Sequence, residues 1–201
     1  MVQKENIWLT SAYFAPVAYF QQIIGADQVN IEACENYVRQ SWRNRCRILS
    51  ANGILDLNIP VLKGHSPGQP IRTIRIDYHE NWQKLHFKAV ESAYRHSPFY
   101  EFIIDDLLKF WTNRYEFLFD YNLEITRTVI RLLEVNPTIA LTDHFEKPGY
   151  YGMNDFRYVY HPKKEKSTGD LPVPYHQVFS ERFGFVPDLS ILDWLFNCFR
   201  T

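Results

Sequence analysis

Two strand-like runs, residues 42–51 and 54–62, flank Asn52-Gly53, the dipeptide favoured in two-residue hairpin turns because the turn needs positive φ. Pairing outward from that turn sets Cys46 opposite Ile59 and Ile48 opposite Leu57. Strand alternation sends those four, with Val61, to one face. The other face carries Arg43, Arg45 and Arg47, opposite the region of Asn58 and Pro60. A hairpin so patterned must bury one side in a core and neutralise or solvate the other, which specifies its register.

Around the hairpin the chain alternates elements. Residues 7–9 read as a strand, Pro16 as the first residue of a helix ending at Gly25, and residues 28–33 as a second strand. Strand, helix, strand at this length predicts a βαβ unit with parallel strands. Residues 71–77 alternate imperfectly and predict a third sheet strand or edge. Helical spacing then predicts a helix from the cap Asn81 to near Pro98, a second over 99–111 and a third over 115–135. The polar side of the third, from Glu116 to Arg131, reads as solvated. Residues 138–142 are β-like, 143–174 read as loop with one strand near 157–160, and Asp188 is expected to cap a closing helix over 189–198. The expected fold class is α/β, a mixed sheet starting with a βαβ unit, with an antiparallel hairpin and packed helices, residues 1–201 forming one domain.

Composition narrows the partners. The 22 Lys+Arg against 23 Asp+Glu give a formal charge of −1, so the chain lacks the net basic footprint of a duplex-binding protein, and no nucleic-acid partner is expected. Cys34, Cys46 and Cys198 form no CxxC pair, which suggests neither a zinc site nor a disulfide framework, and free thiols suit a reducing compartment. No window approaches about 20 apolar residues, so no membrane span is expected. With no apolar stretch of a signal peptide near Met1, a cytoplasmic location is expected. The 15 Phe, 13 Tyr and 5 Trp read first as core, with a stacking surface for sugars or bases as the alternative.

The familiar glycine-rich, nucleophile-elbow and metalloprotease signatures are absent. Arg43, Arg45 and Arg47 repel one another unless an anion gathers them or carboxylates such as Asp56, Glu32 or Glu35 pair with them. Trp82 and His86 stand one helical turn apart and share a face, a stacking plane beside a base or ligand. No acidic or cysteine partner at ligand spacing accompanies His79, His96 or His144. Tyr175-His176-Gln177 lies in the loop-rich end, where His176 is a candidate base or sugar contact. Ser11 and Tyr13, between the first strand and helix, stand where open α/β sheets place ligands. Asp193, midway along the closing helix, is expected to pair with a cation.

Several segments carry a family resemblance in order along nearly the whole chain. They are Tyr13-Phe14-Ala15-Pro16 with Tyr19-Phe20, Trp42-Arg43-Asn44-Arg45-Cys46-Arg47-Ile48, Ile59-Pro60-Val61, Trp82 and His86 ahead of Ala93-Tyr94, and Tyr175 with Gln177. The closing run from Pro187-Asp188-Leu189-Ser190 to Phe196-Asn197 completes the set. Together they resemble the WbqC-like family of bacterial proteins. The sequence departs at Thr10-Ser11-Ala12, where many members have Met-Gln-Pro, and residues 143–170 match poorly.

The resemblance implies a role in building O-antigen or related surface polysaccharide, with transfer of an acyl or aminoacyl group to a nucleotide-linked amino sugar. On that expectation Arg43, Arg45 and Arg47 hold the diphosphate, and Trp82 or Tyr13 stacks on a ring. His86 or His176 deprotonates the attacking amine, with Tyr175 and Gln177 as further ligand contacts. No cofactor or metal is identified. The alternatives are a non-catalytic binding or scaffold protein with a protein partner, and a nucleic-acid module.

Overall fold

The computed structural model describes residues 6–62, 68–162 and 174–198. β1 (Asn6–Thr10), α1 (Val17–Ile24) and β2 (Gln28–Glu32) form the expected βαβ unit, with Asn6 opposite Gln28 and Thr10 opposite Glu32 in parallel register. Pro16 stands at the cap of α1, one residue earlier than expected. The third strand of this sheet comes from much later in the chain. β5 (Thr138–Leu141) pairs parallel to β2, giving the order β1-β2-β5.

The hairpin forms its own two-stranded sheet from β3 (Arg45–Ser50) and β4 (Gly53–Asn58). Its register corrects the expectation by two residues, because Cys46 faces Leu57 and Ile48 faces Leu55. Ala51 and Asn52 make the turn, and Gly53 opens β4 at φ 103°. Ser50 closes the turn one residue early, its Oγ accepting the Asn52 N–H at 3.3 Å and donating to the Gly53 carbonyl at 2.8 Å. An even shift preserves which side each residue faces. Cys46, Ile48, Leu57 and Ile59 are accordingly all buried. On the other face the shift sets Arg47 opposite Asp56 and Arg45 opposite Asn58.

Residues 71–77 do not join a sheet. Ile71–Thr73 is a 3-10 turn closed by the Thr73 N–H on the Pro70 carbonyl at 3.0 Å. Beyond it Arg75 and Ile76 make single bridges to Phe117 and Val61, on different neighbours, so no ladder propagates. α2 (Trp82–Tyr94), α3 (Tyr100–Thr112) and α4 (Leu118–Leu132) follow as expected, each trimmed at its ends. Asn81 precedes α2 but makes no side-chain cap bond. The strand expected near 157–160 is a turn. After α5 (Ser180–Phe183), the closing helix α6 spans Ile191–Cys198. Asp188 sits at φ 60°, and Ser190 holds the capping position instead. The Ser190 Oγ accepts the Leu192 N–H at 3.3 Å and donates to the Phe14 carbonyl at 2.8 Å.

The loop between β1 and α1 is clamped from two directions. The Tyr13 N–H bonds to the Trp42 carbonyl at 2.8 Å, and the Val17 N–H to the Leu189 carbonyl at 3.0 Å. Phe14 takes φ 38°, a left-handed conformation that a bulky residue adopts only where its surroundings determine it. Its ring is fully buried, stacked with Trp111 at 5.5 Å and edge-on to Phe110 at 5.8 Å. This strained turn aims Tyr13 between α2 and α3. No helix among the described residues is long and apolar enough to cross a membrane.

Candidate functional site

The site grows from the extended stretch that continues β4. Ile59 donates its N–H to the Asn44 carbonyl at 2.8 Å and accepts the Asn44 Nδ2 at 3.1 Å, while the Pro60 carbonyl accepts the Asp77 N–H at 2.9 Å. Successive residues of an extended chain direct their backbone groups to opposite edges. The segments around Asn44 and Asp77 therefore flank residues 58–62 on opposite sides, and the first turns of α2 complete a groove. It encloses about 930 Å³, and Tyr37, Arg39, Asn44, His79, Trp82 and His86 contribute to its lining.

Two residues expected from the sequence, Trp82 and His86, line this groove, and a third, the fully buried Tyr13, reaches His86 from behind it. Trp82 and His86, one turn apart on α2, pack edge to face at 5.1 Å, and the Tyr13 hydroxyl lies 2.9 Å from His86 Nδ1. Trp111 Nε1 donates to the Tyr13 oxygen over 3.4 Å, so the Tyr13 proton is left to give to Nδ1. His86 then carries its own proton on Nε2. Burial pushes the His86 pKa down to about 4, with the Asn58 carbonyl pulling the other way. Burial, with Cys46 adding to it, pushes Tyr13 well up. Both groups are uncharged at neutral pH, and His86 brings the site an N–H donor. Ser11 is buried as well, its hydroxyl without a partner among the described residues.

The arginine row does not converge on the groove. Arg43 is buried in a two-bond ion pair with Glu35, whose carboxyl burial pushes up while Arg43 draws it back down. Arg45 donates to Asn58 Oδ1 at 2.7 Å and lies 3.4 Å from Asp56, and Arg47 donates to Asp56 Oδ1 at 2.8 Å. Arg47 also lies over the Trp42 ring at 5.6 Å. The carboxylate-paired alternative is the arrangement found, with Glu35 and Asp56 as partners. Glu32 is taken by Arg157. The groove's own guanidinium is Arg39, exposed and without an ion pair among the described residues. It belongs to no periodic element, so no sequence pattern singles it out.

The end of the parallel sheet, where ligands usually bind in open α/β folds, is closed by a staple. Arg157 is fully buried and places all five N–H groups, on Asp155 at 2.8 and 2.7 Å, Glu32 at 2.6 Å, and the Glu146 and Lys147 carbonyls at 3.1 and 3.2 Å. Glu32 ends β2, so this network fixes the loop after β5 across the strand ends.

Tyr175, His176 and Gln177 stand apart from the groove. Gln177 is buried and bonded in both directions to Val186, at 2.9 Å each. The Tyr175 ring meets Phe185 edge-on at 5.5 Å, and His176 is exposed. Near them lies Asp193, almost wholly buried, with neither carboxyl oxygen hydrogen-bonded among the described residues. It has no cation partner there, contrary to expectation. Burial pushes its pKa up to about 6, while Tyr175, Tyr94 and Gln177 stand near enough to draw it down without aligned bonds. Tyr94 ends α2 and Trp82 begins it, which separates the two groups by about 18 Å along the helix axis.

Two histidine partnerships escaped the sequence. Asp77 Oδ1 lies 2.5 Å from His79 Nδ1 and accepts the His79 backbone N–H at 2.9 Å. His144 lies 2.5 Å from Asp143 and 3.3 Å from Glu146. A carboxylate two residues back folds onto the ring through a local turn, a spacing that metal-ligand patterns overlook. No group of three or more His, Cys, Asp and Glu side chains among the described residues is placed to hold a metal ion.

Comparison with known proteins places these features in a family. The description "WbqC-like protein family" belongs to the family whose sequence pattern matches residues 11–157. An uncharacterized protein of Mycobacterium tuberculosis is 27% identical over 222 residues, covering 96% of this chain and 94% of its own. No solved structure matches.

Proposed function

This chain belongs to the WbqC-like protein family, and from that membership and the groove we propose that it is an enzyme of bacterial surface-polysaccharide biosynthesis acting on a nucleotide-linked amino sugar. One observation carries the reading. A groove of about 930 Å³ brings aromatic walls, an uncharged histidine and an arginine with no ion pair among the described residues into one concavity. Tyr37 offers a ring face of the kind that sugars stack on, the buried Trp82 backs the wall, and Asn44 Oδ1 and His86 offer hydrogen bonds for hydroxyls. Arg39 takes the phosphate role first expected of Arg43, Arg45 and Arg47, because their charge is spent on Glu35 and Asp56. His86 acts as a donor to the substrate in this reading, and acyl or aminoacyl transfer is the reaction the family context favours.

The test is a panel of nucleotide sugars in thermal-shift assays. A ligand at 100 times its Kd stabilises by about 2.7 kcal/mol, readily seen as a rise in Tm. The reading expects such a rise with uridine diphosphate glucosamine and its relatives. No stabilisation by any diphosphate ligand contradicts it.

A second reading, a non-catalytic partner in a biosynthetic complex, draws on the exposed apolar residues Leu141, Phe145, Tyr150 and Met153 on β5 and the following loop. Replacing Met153 and Tyr150 with Ser would then abolish co-purification with a glycosyltransferase while leaving ligand-induced stabilisation untouched.

A further inference from the structure

His79 stands at a junction of concavities. It lines the main groove and also two smaller hollows beside it, of about 230 and 240 Å³. Arg114 lines both hollows, its guanidinium 5.2 Å from the Tyr78 ring centre, and makes no ion pair among the described residues. Asp77, itself part of the groove wall, holds the imidazole through Nδ1 at 2.5 Å and through the backbone N–H at 2.9 Å. With the Nδ1–H donated to the Asp77 carboxylate, the lone pair of Nε2 is left for a ligand. The ring is 86% exposed, so a ligand can reach it. His86 offers the opposite, a buried ring whose Nδ1 is occupied by Tyr13 and whose protonation burial opposes.

We propose that His79 is the general base for group transfer across this junction, with Asp77 as its positioning residue. The acceptor amine lies in the groove, and the anionic carrier of an acyl thioester donor lies on Arg114. This rests on the amino-sugar reading above. The amine nitrogen attacks the thioester carbonyl carbon, the N–C bond forms, and the C–S bond breaks with the electron pair leaving on sulfur. His79 Nε2 takes the proton released by the nitrogen and returns it to the thiolate, so the products are an amide and a free thiol. Among the described residues, the charged groups lining these concavities are Asp77 and Glu80 on its own segment, Arg39 across the groove and Arg114 across the hollows.

The experiment follows thiol release from acetyl-coenzyme A with uridine diphosphate glucosamine as acceptor, beside calorimetric binding of the acceptor alone. In His79→Gln, kcat falls about 10²–10⁴-fold, while the Kd for the acceptor stays within about two-fold and the far-ultraviolet circular dichroism is unchanged. Asp77→Asn gives a smaller loss with a displaced acidic limb in the rate profile, which a merely structural role would not produce. Arg114→Met raises KM for the thioester about tenfold, the scale of one charge-assisted contact, and leaves acceptor binding alone. Acceptor binding with wild-type turnover in His79→Gln, or binding with no thiol release in the wild type, overturns this assignment and leaves the sugar-binding reading standing. Absence of acceptor binding overturns both.

Discussion

Tyr13 shows how a single hydroxyl sets the chemistry of a neighbour. It accepts from Trp111 and gives its proton to His86 Nδ1 at 2.9 Å, which makes His86 a donor in the groove. Tyr13→Phe leaves a buried ring nitrogen without its partner, and the expected loss is about 1–3 kcal/mol of unfolding free energy in urea titrations. The Glu35–Arg43 pair is costlier to break. Glu35→Ala strands a buried guanidinium, and the expected loss is about 3–5 kcal/mol by the same measurement. Two buried titrations act with opposite sign. His86 is held below its ordinary value, so its contribution to stability is present above about pH 6.5 and is lost as pH falls through about 4. Asp193 is held above its ordinary value, so its contribution is present below the usual carboxylate range and is lost as pH rises through about 6. Asp193→Asn removes that loss and is expected to be more stable than wild type at pH 7.5, by on the order of 2–3 kcal/mol. Denaturation curves at pH 4.5 and 7.5 check it, and a variant gaining nothing at the higher pH contradicts it. The burial of Tyr13, Asp193 and Arg157 was not legible in the sequence, because it depends on distant segments meeting, Tyr13 with His86, Tyr94 with Asp193 and Arg157 with Glu32.

At the scale of elements, the hairpin was legible in kind and misread in register. Alternation of Cys46 and Ile48 with arginines announces one buried and one polar face, and both are found. The turn itself is decided by Ser50, whose hydroxyl ties Asn52 and Gly53 and moves the crossing by one residue in each strand. That small displacement brings Asp56 rather than Asn58 against Arg47, and so neutralises a face that otherwise reads as an anion cradle. Gly53, at φ 103°, is the position in this turn that no side chain suits. Gly53→Ala is expected to destabilise by about 1–2 kcal/mol, more than the gain from a stiffer unfolded chain, as measured by thermal unfolding. The helices were legible because their apolar stripes repeat over several turns, whereas residues 71–77 misled because an alternating composition says nothing of whether a partner strand runs alongside.

For the whole molecule, the position of the site follows from how the two sheets are closed. The parallel sheet begins as the βαβ pattern predicts, yet Arg157, Glu32 and Asp155 seal its strand ends. The open concavity lies instead where the strand continuing the hairpin passes between residues 37–44 and 77–80 under α2. Helical spacing put Trp82 and His86 on one face, and they pack together there, while Tyr13, singled out separately for its place between strand and helix, meets His86 from the buried side. The sequence could not bring in Arg39, Asp77 or His79, which belong to irregular segments joined only by the fold. Part of the poorly matching region, residues 163–170, lies outside the described residues.

The decisive measurement for the groove is calorimetric titration of uridine diphosphate glucosamine into the protein and three variants. Binding in the micromolar to millimolar range usual for substrates is predicted for the wild type, weakened about tenfold in Arg39→Met and abolished in Leu85→Glu, where the leucine also lines the groove, while Arg47→Met binds as the wild type does. Binding that survives both groove substitutions, or that disappears with Arg47, contradicts the account.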